Sequence, residues 1–179
     1  MLEGRLVKLR AREMADLQRN TRWINDREVT RFMAARYLMS SAAEEQWMRD
    51  RMVGPMSFAA TPFAIETKDG EHIGNTSLFN VSPEDRKADF GIMIGEKAYW
   101  SKGYGSDATQ TLLRFAFEEM NLNRVRLDTY AFNERAIAAY LKSGFAEEGR
   151  LRQARYSGGA YHDVVVMGAL RDEWLARFG

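Results

Sequence analysis

The sequence predicts a mixed α/β domain whose largely antiparallel central sheet is flanked by helices. Three observations lead there. A run of short strands in the first half is joined by tight turns, above all Lys68-Asp69-Gly70. A strand–helix–strand unit then spans Ala88 to Ala131, which calls for a parallel, right-handed crossover. Two more strands and a short helix close the chain. At 179 residues this fits one domain, 1–179, with no repeat, linker or low-complexity tract.

The elements follow in order. Arg5-Leu6-Val7-Lys8-Leu9 alternates polar and apolar, as a first strand does. Glu13 to Arg36 reads as one or two helices, interrupted near Asn25-Asp26. Ser41-Ala42-Ala43-Glu44 has the form of a capping box, so a helix should run from there to about Met52 and stop at Gly54-Pro55. Strands are expected over Ser57–Thr67 and Glu71–Phe79. A turn at Ser82-Pro83-Glu84-Asp85 leads to a strand over Ala88–Ile94. The loop Gly95–Gly103 opens a helix over Gly105–Met120, with Leu112, Leu113, Ala116 and Phe117 on its apolar side. Arg124–Ala131 is a strand with Val125, Leu127 and Thr129 on one face. Asn133 suits an N-cap for a helix to Ser143, and Gly144 suits its C′ position. Strands over Ala146–Tyr156 and His162–Leu170 turn at Gly158-Gly159, and Asp172–Phe178 closes the chain.

Composition narrows function. Hydrophobic residues make up 45% and charged residues 28%, and no stretch approaches the length of a membrane span, so a soluble, cytoplasmic protein is expected. No signal-peptide core is present near Met1. The absence of cysteine removes thiol nucleophiles, disulfides and thiolate metal sites. Twenty-six basic against 25 acidic side chains, net +1, is not the balance of a nucleic-acid binder. The basic stretch Arg124–Arg155 carries interleaved acids and reads as a solvated face.

Chemistry concentrates in Trp100-Ser101-Lys102-Gly103-Tyr104-Gly105-Ser106. Glycines let backbone approach a ligand, and the following helix start presents unpaired N–H groups, so together they suit a phosphate. A P-loop string is absent. Gly103-x-Gly105-x-x-Ala108 with Asp128 downstream fits the dinucleotide fingerprint literally. Against it, eight residues separate Ile94 from Gly103, and only about 75 residues follow, too few for a doubly wound domain.

The third reading is coenzyme A. Phe90-Gly91-Ile92-Met93-Ile94, then Tyr99–Ser106, then Asn133-Glu134-Arg135-Ala136-Ile137-Ala138-Ala139-Tyr140-Leu141-Lys142-Ser143-Gly144-Phe145, stand in the order and spacing of the GNAT N-acetyltransferases. With Trp23-Ile24-Asn25-Asp26 and Tyr161-His162-Asp163, the chain resembles the RimJ/RimL branch of that superfamily and the related spermidine N-acetyltransferases. Trp100 stands where the superfamily often has Gln or Arg, and the branch resembled here commonly has Trp.

That resemblance implies an acetyl-CoA-dependent N-acetyltransferase: acetyl-CoA as co-substrate, a primary amine as acceptor, direct attack in a ternary complex, and no metal. Backbone groups of Ile92, Met93 and Ile94 would flank the pantetheine. Trp100, Ser101, Lys102, Gly103, Tyr104, Gly105 and Ser106 would hold the pyrophosphate. Asn133 and Ala136 would face the coenzyme, and Tyr140 would protonate the thiolate. The residues themselves leave alternatives: Tyr140 sits with Ile137 and Leu141 on a helical face and suits a core aromatic, Asn133 suits a plain cap, and Lys102 suits solvent. A base is not identified. Glu28, Asp89, Glu96 and Asp163 qualify by type, while His72 and His162 read as structural or rim residues. A non-catalytic acyl-CoA sensor on the same fold is the alternative function. The expected partners are acetyl-CoA and an amine, with neither nucleic acid nor membrane. Edge strands between Ala146 and Leu170 allow a homodimer.

Overall fold

The structure is a computed structural model and describes residues 1–33, 37–52 and 60–179. Eight strands form one sheet: β1 (Leu2–Glu3), β2 (Val7–Ala11), β3 (Ala60–Thr67), β4 (His72–Ser82), β5 (Lys87–Ile94), β6 (Arg124–Tyr130), β7 (Ala146–Ser157) and β8 (Ala160–Leu170). Their order across the sheet is β1-β2-β3-β4-β5-β6-β8-β7. Every neighbouring pair is antiparallel except β5 and β6, the expected parallel crossover. Among the described residues six α-helices flank the sheet: α1 (Leu17–Asn25), α2 (Arg27–Thr30), α3 (Ser41–Met52), α4 (Tyr104–Arg114), α5 (Glu134–Lys142) and α6 (Arg171–Phe178).

One face of the sheet carries the core. Val7, Leu9, Ile65, Leu78, Phe90 and Val125 pack with Leu112, Leu113 and Phe117 from the α4 side and Trp174 from α6. Burying a side chain of this size stabilises the fold by roughly 1.5–3 kcal/mol, so the sheet face and α4 are held as one unit.

The differences from the sequence expectations each have a physical cause. The strand expected from Arg5 is β2 and begins at Val7, because a further short strand, β1, precedes it and the chain turns between the two, with the Gly4 N–H on the Val7 carbonyl at 2.9 Å. The Asp107 carboxylate in the first turn of α4 accepts hydrogen bonds from the backbone N–H groups of Arg5 (3.1 Å), Leu6 (2.7 Å) and Val7 (3.0 Å) and holds this turn. The expected capping box at Ser41 is displaced by one residue. Ser40 is the cap, its Oγ accepting from the Ala43 N–H at 3.1 Å, and Glu44 is buried instead of reaching back. The expected stop at Gly54-Pro55 and the start of the strand at Ser57 lie outside the described residues. β4 runs three residues beyond Phe79, through an irregularity at which Asn80 takes φ of 50°. The helix expected to reach Met120 changes at Phe115 into one wide π turn, Phe115–Glu119, closed by the Met120 N–H on the Phe115 carbonyl at 3.0 Å. The break at Asn25-Asp26 is real, and Asp26 caps α2 by accepting from the Glu28 N–H at 2.9 Å. Gly144 takes φ of 102°, as a C′ glycine should, and a Cβ there would stand 2.7 Å from Trp174.

β5 and β6 pair at only three positions, Lys87 with Arg124, Ala88 with Val125 and Asp89 with Arg126. Beyond Asp89 the two strands part. The edge of β5 from Phe90 to Ile94 therefore faces a gap rather than a neighbour on that side.

Candidate active site

The gap opens a groove with three walls. The first is the free edge of β5, where Gly91, Ile92, Met93 and Ile94 line it. On its other side β5 stays paired to β4, and the Thr76 hydroxyl donates to the Gly91 carbonyl at 2.9 Å. Free backbone N–H and C=O groups beside a groove form a template for an extended, amide-bearing ligand.

The second wall is the start of α4. Gly103 takes φ of 90°, a left-handed conformation that costs glycine nothing. The first bond inside the helix is from the Asp107 N–H to the Gly103 carbonyl at 3.0 Å, so the N–H groups of Gly103 to Ser106 have no helical acceptor. They meet the positive end of the helix dipole, an arrangement suited to an anion. Gly105 adds a separate observation. Its φ is ordinary, and a Cβ there would meet only Ile94 Cγ1 at 3.8 Å. Nothing in the protein requires glycine at 105, so the bare backbone serves something that approaches from the groove. The Trp100 indole N–H donates to the Ile94 carbonyl at 2.7 Å, tying this loop to the end of β5.

The third wall is α5, with Asn133, Arg135, Ala136, Ala139 and Tyr140 along the groove. Asn133 was expected to cap α5, but its side chain makes no cap bond. Its φ of −89° and ψ of 57° leave the extended region that directs a cap side chain over the first turn. The N–H groups of Ala136 and Ile137 bond its backbone carbonyl instead, at 3.0 and 3.1 Å. Asn133 is only 8% exposed, and its carboxamide has no partner among the described residues. Tyr140 packs edge-on against Phe90 (centroids 6.1 Å, 85°) and Phe145 (5.9 Å, 64°). Burial pushes its phenol up to about 12, and no described residue bonds its hydroxyl. The ring packs against the core, and the hydroxyl stands beside the groove with no partner among the described residues.

Most of the residues singled out from the sequence converge here. Ile92, Met93, Ile94, Trp100, Ser101, Gly103, Gly105, Ser106, Asn133, Ala136 and Tyr140 all line the groove. Lys102 is exposed outside it, and the Tyr104 ring turns away to pack on Tyr99 at 4.9 Å and 89°.

The candidate bases separate clearly. Glu28 pairs with Lys97 at 2.7 Å, Glu96 with Arg22 and the Trp23 indole, and Asp163 accepts from the Gln153 N–H at 2.9 Å. Asp89 alone of the four lines the groove, where it accepts from the Asn80 carboxamide at 2.9 Å. It stands at the point where β5 and β6 part, next in sequence to Phe90, which packs on Tyr140. Neighbouring strand residues point to opposite faces, so Asp89 and the Tyr140 hydroxyl flank the same stretch of β5 from two sides. His72 is buried, its Nε2–H on the Gly74 carbonyl at 2.9 Å and its Nδ1 3.1 Å from Asp16. His162 donates to the Ser157 carbonyl at 2.9 Å. Neither histidine lines the groove.

Residues that the sequence did not flag also line it. Asn20 and Asn75 join side chain to side chain at 2.8 Å below α1. Glu44, read as half of a capping box, is 5% exposed, 3.8 Å from Arg12 and raised by burial. Their signal in the sequence is nil, because three separate elements bring them together. Among the described residues no group of His, Asp and Glu is placed to hold a metal ion.

A mixed sheet parts over a groove, with a glycine-rich helix start on one side and a half-buried phenol with no described partner on the other. The comparisons with known proteins carry this to a family. A model described as the acetyltransferase (GNAT) domain matches residues 5–146, and the chain belongs to the GNAT acetyltransferase family.

Relatives span several acceptors by name. The N-acetyltransferase p20 of Bacillus licheniformis, itself uncharacterised, is 28% identical over 173 residues, 94% of each chain. The spermidine N(1)-acetyltransferase of Escherichia coli strain K12 is 32% identical over 114 residues, 64% of this chain and 60% of that protein. YdaF of Bacillus subtilis strain 168, provisionally named a ribosomal N-acetyltransferase, is 39% identical over 106 residues, 59% of this chain and 57% of its own. The match to these last two therefore spans about three-fifths of their length. Among solved structures, the Vibrio cholerae spermidine N-acetyltransferase in complex with CoA and spermine superposes with a TM-score of 0.86, at 26% identity, over 95% of this chain and 98% of that one. Among the described residues no helix is long and apolar enough to cross a membrane.

Proposed function

We propose that this protein is an acetyl-CoA-dependent N-acetyltransferase that transfers acetyl to a primary amine by direct attack. The observation that carries the reading is the free edge of β5 running into the unpaired N–H groups of α4, where Gly105 is bare for no internal reason. That combination suits a ligand with an amide-bearing arm and a pyrophosphate. The fit of the donor to these residues is therefore good at both ends.

The bound donor supplies a thioester, whose acyl carbon is the electrophile. The residues supply the rest. Backbone groups from Gly103 to Ser106 hold the pyrophosphate, and the edge of β5 from Ile92 to Ile94 aligns the arm and polarises the acyl oxygen. Asn133 bonds the arm with its free carboxamide. An alkyl amine has a pKa of about 10 and must shed a proton to attack. Asp89 receives that proton, directly or through one water. The C–S bond breaks as the N–C bond forms, and the leaving thiolate takes the Tyr140 proton. A phenol held near 12 is protonated at neutral pH and able to serve as that donor.

Glu13 and Asp89 line the groove without an ion-pair partner among the described residues, while Glu44 lies 3.8 Å from Arg12 and Asp128 2.8 Å from Arg126, so the two former carboxylates support a cationic amine. Of the two strands expected at an edge, β8 lies inside the sheet between β6 and β7, while β7 is one of its two edges and exposed along nearly its whole length, so a homodimer would pair a second copy at β7. The test is a panel of spermidine, spermine, an N-terminal peptide and an amino sugar with acetyl-CoA, following thiol release. Release with at least one amine supports the enzyme. Tight coenzyme binding without release on any amine would favour the non-catalytic sensor.

A further inference from the structure

Arg135, in the first turn of α5, has no role in the reading above. Its guanidinium lies 4.3 Å over the Trp100 ring and 5.8 Å from the Phe32 ring. It therefore bridges the glycine loop and the acceptor side of the groove, and it lines the groove itself. No carboxylate and no hydrogen-bond acceptor engages it among the described residues. A guanidinium set against two aromatic rings with its N–H edge unspent is held ready for an outside anion. Two neighbours point the same way. The Asn133 carboxamide, 8% exposed, is equally without a partner, and the unpaired N–H groups of Gly103 to Ser106 face the same groove.

We propose that Arg135 is a phosphate-binding residue of the coenzyme site, preorganised by its stack on Trp100. This rests on the coenzyme A reading. Arg is the suited residue because its planar fork meets two phosphate oxygens while its face stays on the indole. Trp100 thereby does two jobs. Its N–H fixes the end of β5, and its face fixes the cation. The phosphate is either the pyrophosphate, with one negative charge on each phosphorus, or the 3′-phosphate, a monoester dianion at neutral pH, and both offer a pair of unesterified oxygens to the guanidinium fork.

The test is calorimetric binding of coenzyme A and of 3′-dephospho-coenzyme A to the wild type and to Arg135→Met, which keeps an apolar stem over Trp100 and removes the charge. The variant should melt at the wild-type temperature, since Arg135 makes no ion pair to lose. Its coenzyme A affinity should fall about tenfold, the low end for a charge-assisted hydrogen bond at a solvent-facing site. The difference should shrink as salt is raised. A loss for coenzyme A alone assigns Arg135 to the 3′-phosphate, and an equal loss for both ligands assigns it to the pyrophosphate. Unchanged affinity for both overturns the proposal. Failure of the wild type itself to bind coenzyme A would sink the donor reading instead, and the two failures are thereby distinct.

Discussion

Replacing Gly105 with valine separates what the protein needs from what its ligand needs. In the folded chain the new Cβ meets only Ile94 Cγ1 at 3.8 Å, ordinary van der Waals contact, and the backbone at 105 lies outside the left-handed region. Position 105 is in the first turn of α4, where valine is no worse a helix former than glycine. The melting temperature of the free protein should therefore hold or rise slightly. Binding should not hold. The branched side chain stands where the pyrophosphate meets the helix start and forces it away from the unpaired N–H groups. Losing two charge-assisted hydrogen bonds at about 1.5–3 kcal/mol each removes about 3–6 kcal/mol of binding, at least a hundredfold in affinity. Gly105→Ala should fall between. The assay is calorimetric titration with coenzyme A beside a thermal melt of each variant without ligand. Wild-type affinity in a Gly105→Val protein of wild-type melting temperature would refute the placement of the phosphates at this helix.

Other expectations follow from the same geometry. Tyr140→Phe should cut turnover by about a hundredfold or more, the scale of general acid catalysis, with coenzyme affinity nearly intact. In the wild type no alkaline loss should belong to Tyr140 until pH approaches 12, because burial holds its proton on. Asp89→Asn should lower turnover and leave coenzyme affinity unchanged, and equal turnover in the two proteins would remove Asp89 as the proton acceptor. Asp107→Ala strips three backbone N–H groups of their acceptor and should cost about 2–3 kcal/mol, read as a lower melting temperature. Asp16 is buried, which opposes ionisation, but Arg10, His72 and the Glu13 N–H outweigh that and hold its carboxyl well below the usual carboxylate range. A carboxyl depressed on folding stabilises above its unfolded pKa of about 4 and loses that contribution as pH falls below it. Asp16→Asn should therefore melt lower at pH 7, with the gap to wild type closing below about pH 4.

Much of this protein was legible along the chain, because local signals set it. Strand and helix order follows from hydrophobic period. The loop at Gly103 follows from glycine's access to positive φ, and the end of α5 follows from Gly144. These are interactions between residues a few positions apart, so the one-dimensional pattern carries them. Boundaries failed where a distant group intervened. Arg5 and Leu6 stand in the turn between β1 and β2, where a carboxylate about a hundred residues away accepts from their N–H groups. Asn133 is a local exception, since the backbone at its own position turns the carboxamide away from the first turn of α5.

The site divides the same way. The glycine-rich helix start was legible in the sequence, since it lies in a short contiguous motif, whereas Tyr140 by its own spacing suited a core aromatic and its role as acid came from the resemblance alone. The tertiary structure decided which of four carboxylates reaches the groove, because Asp89 stands where β5 and β6 part while Glu28, Glu96 and Asp163 are bonded elsewhere. It also decided that Arg135, one more charge on a solvated helix by sequence, is stacked on Trp100 and unspent. Proximity between residues 35 or more positions apart is set by how the sheet parts and how α4 and α5 pack against it, and no local pattern encodes that.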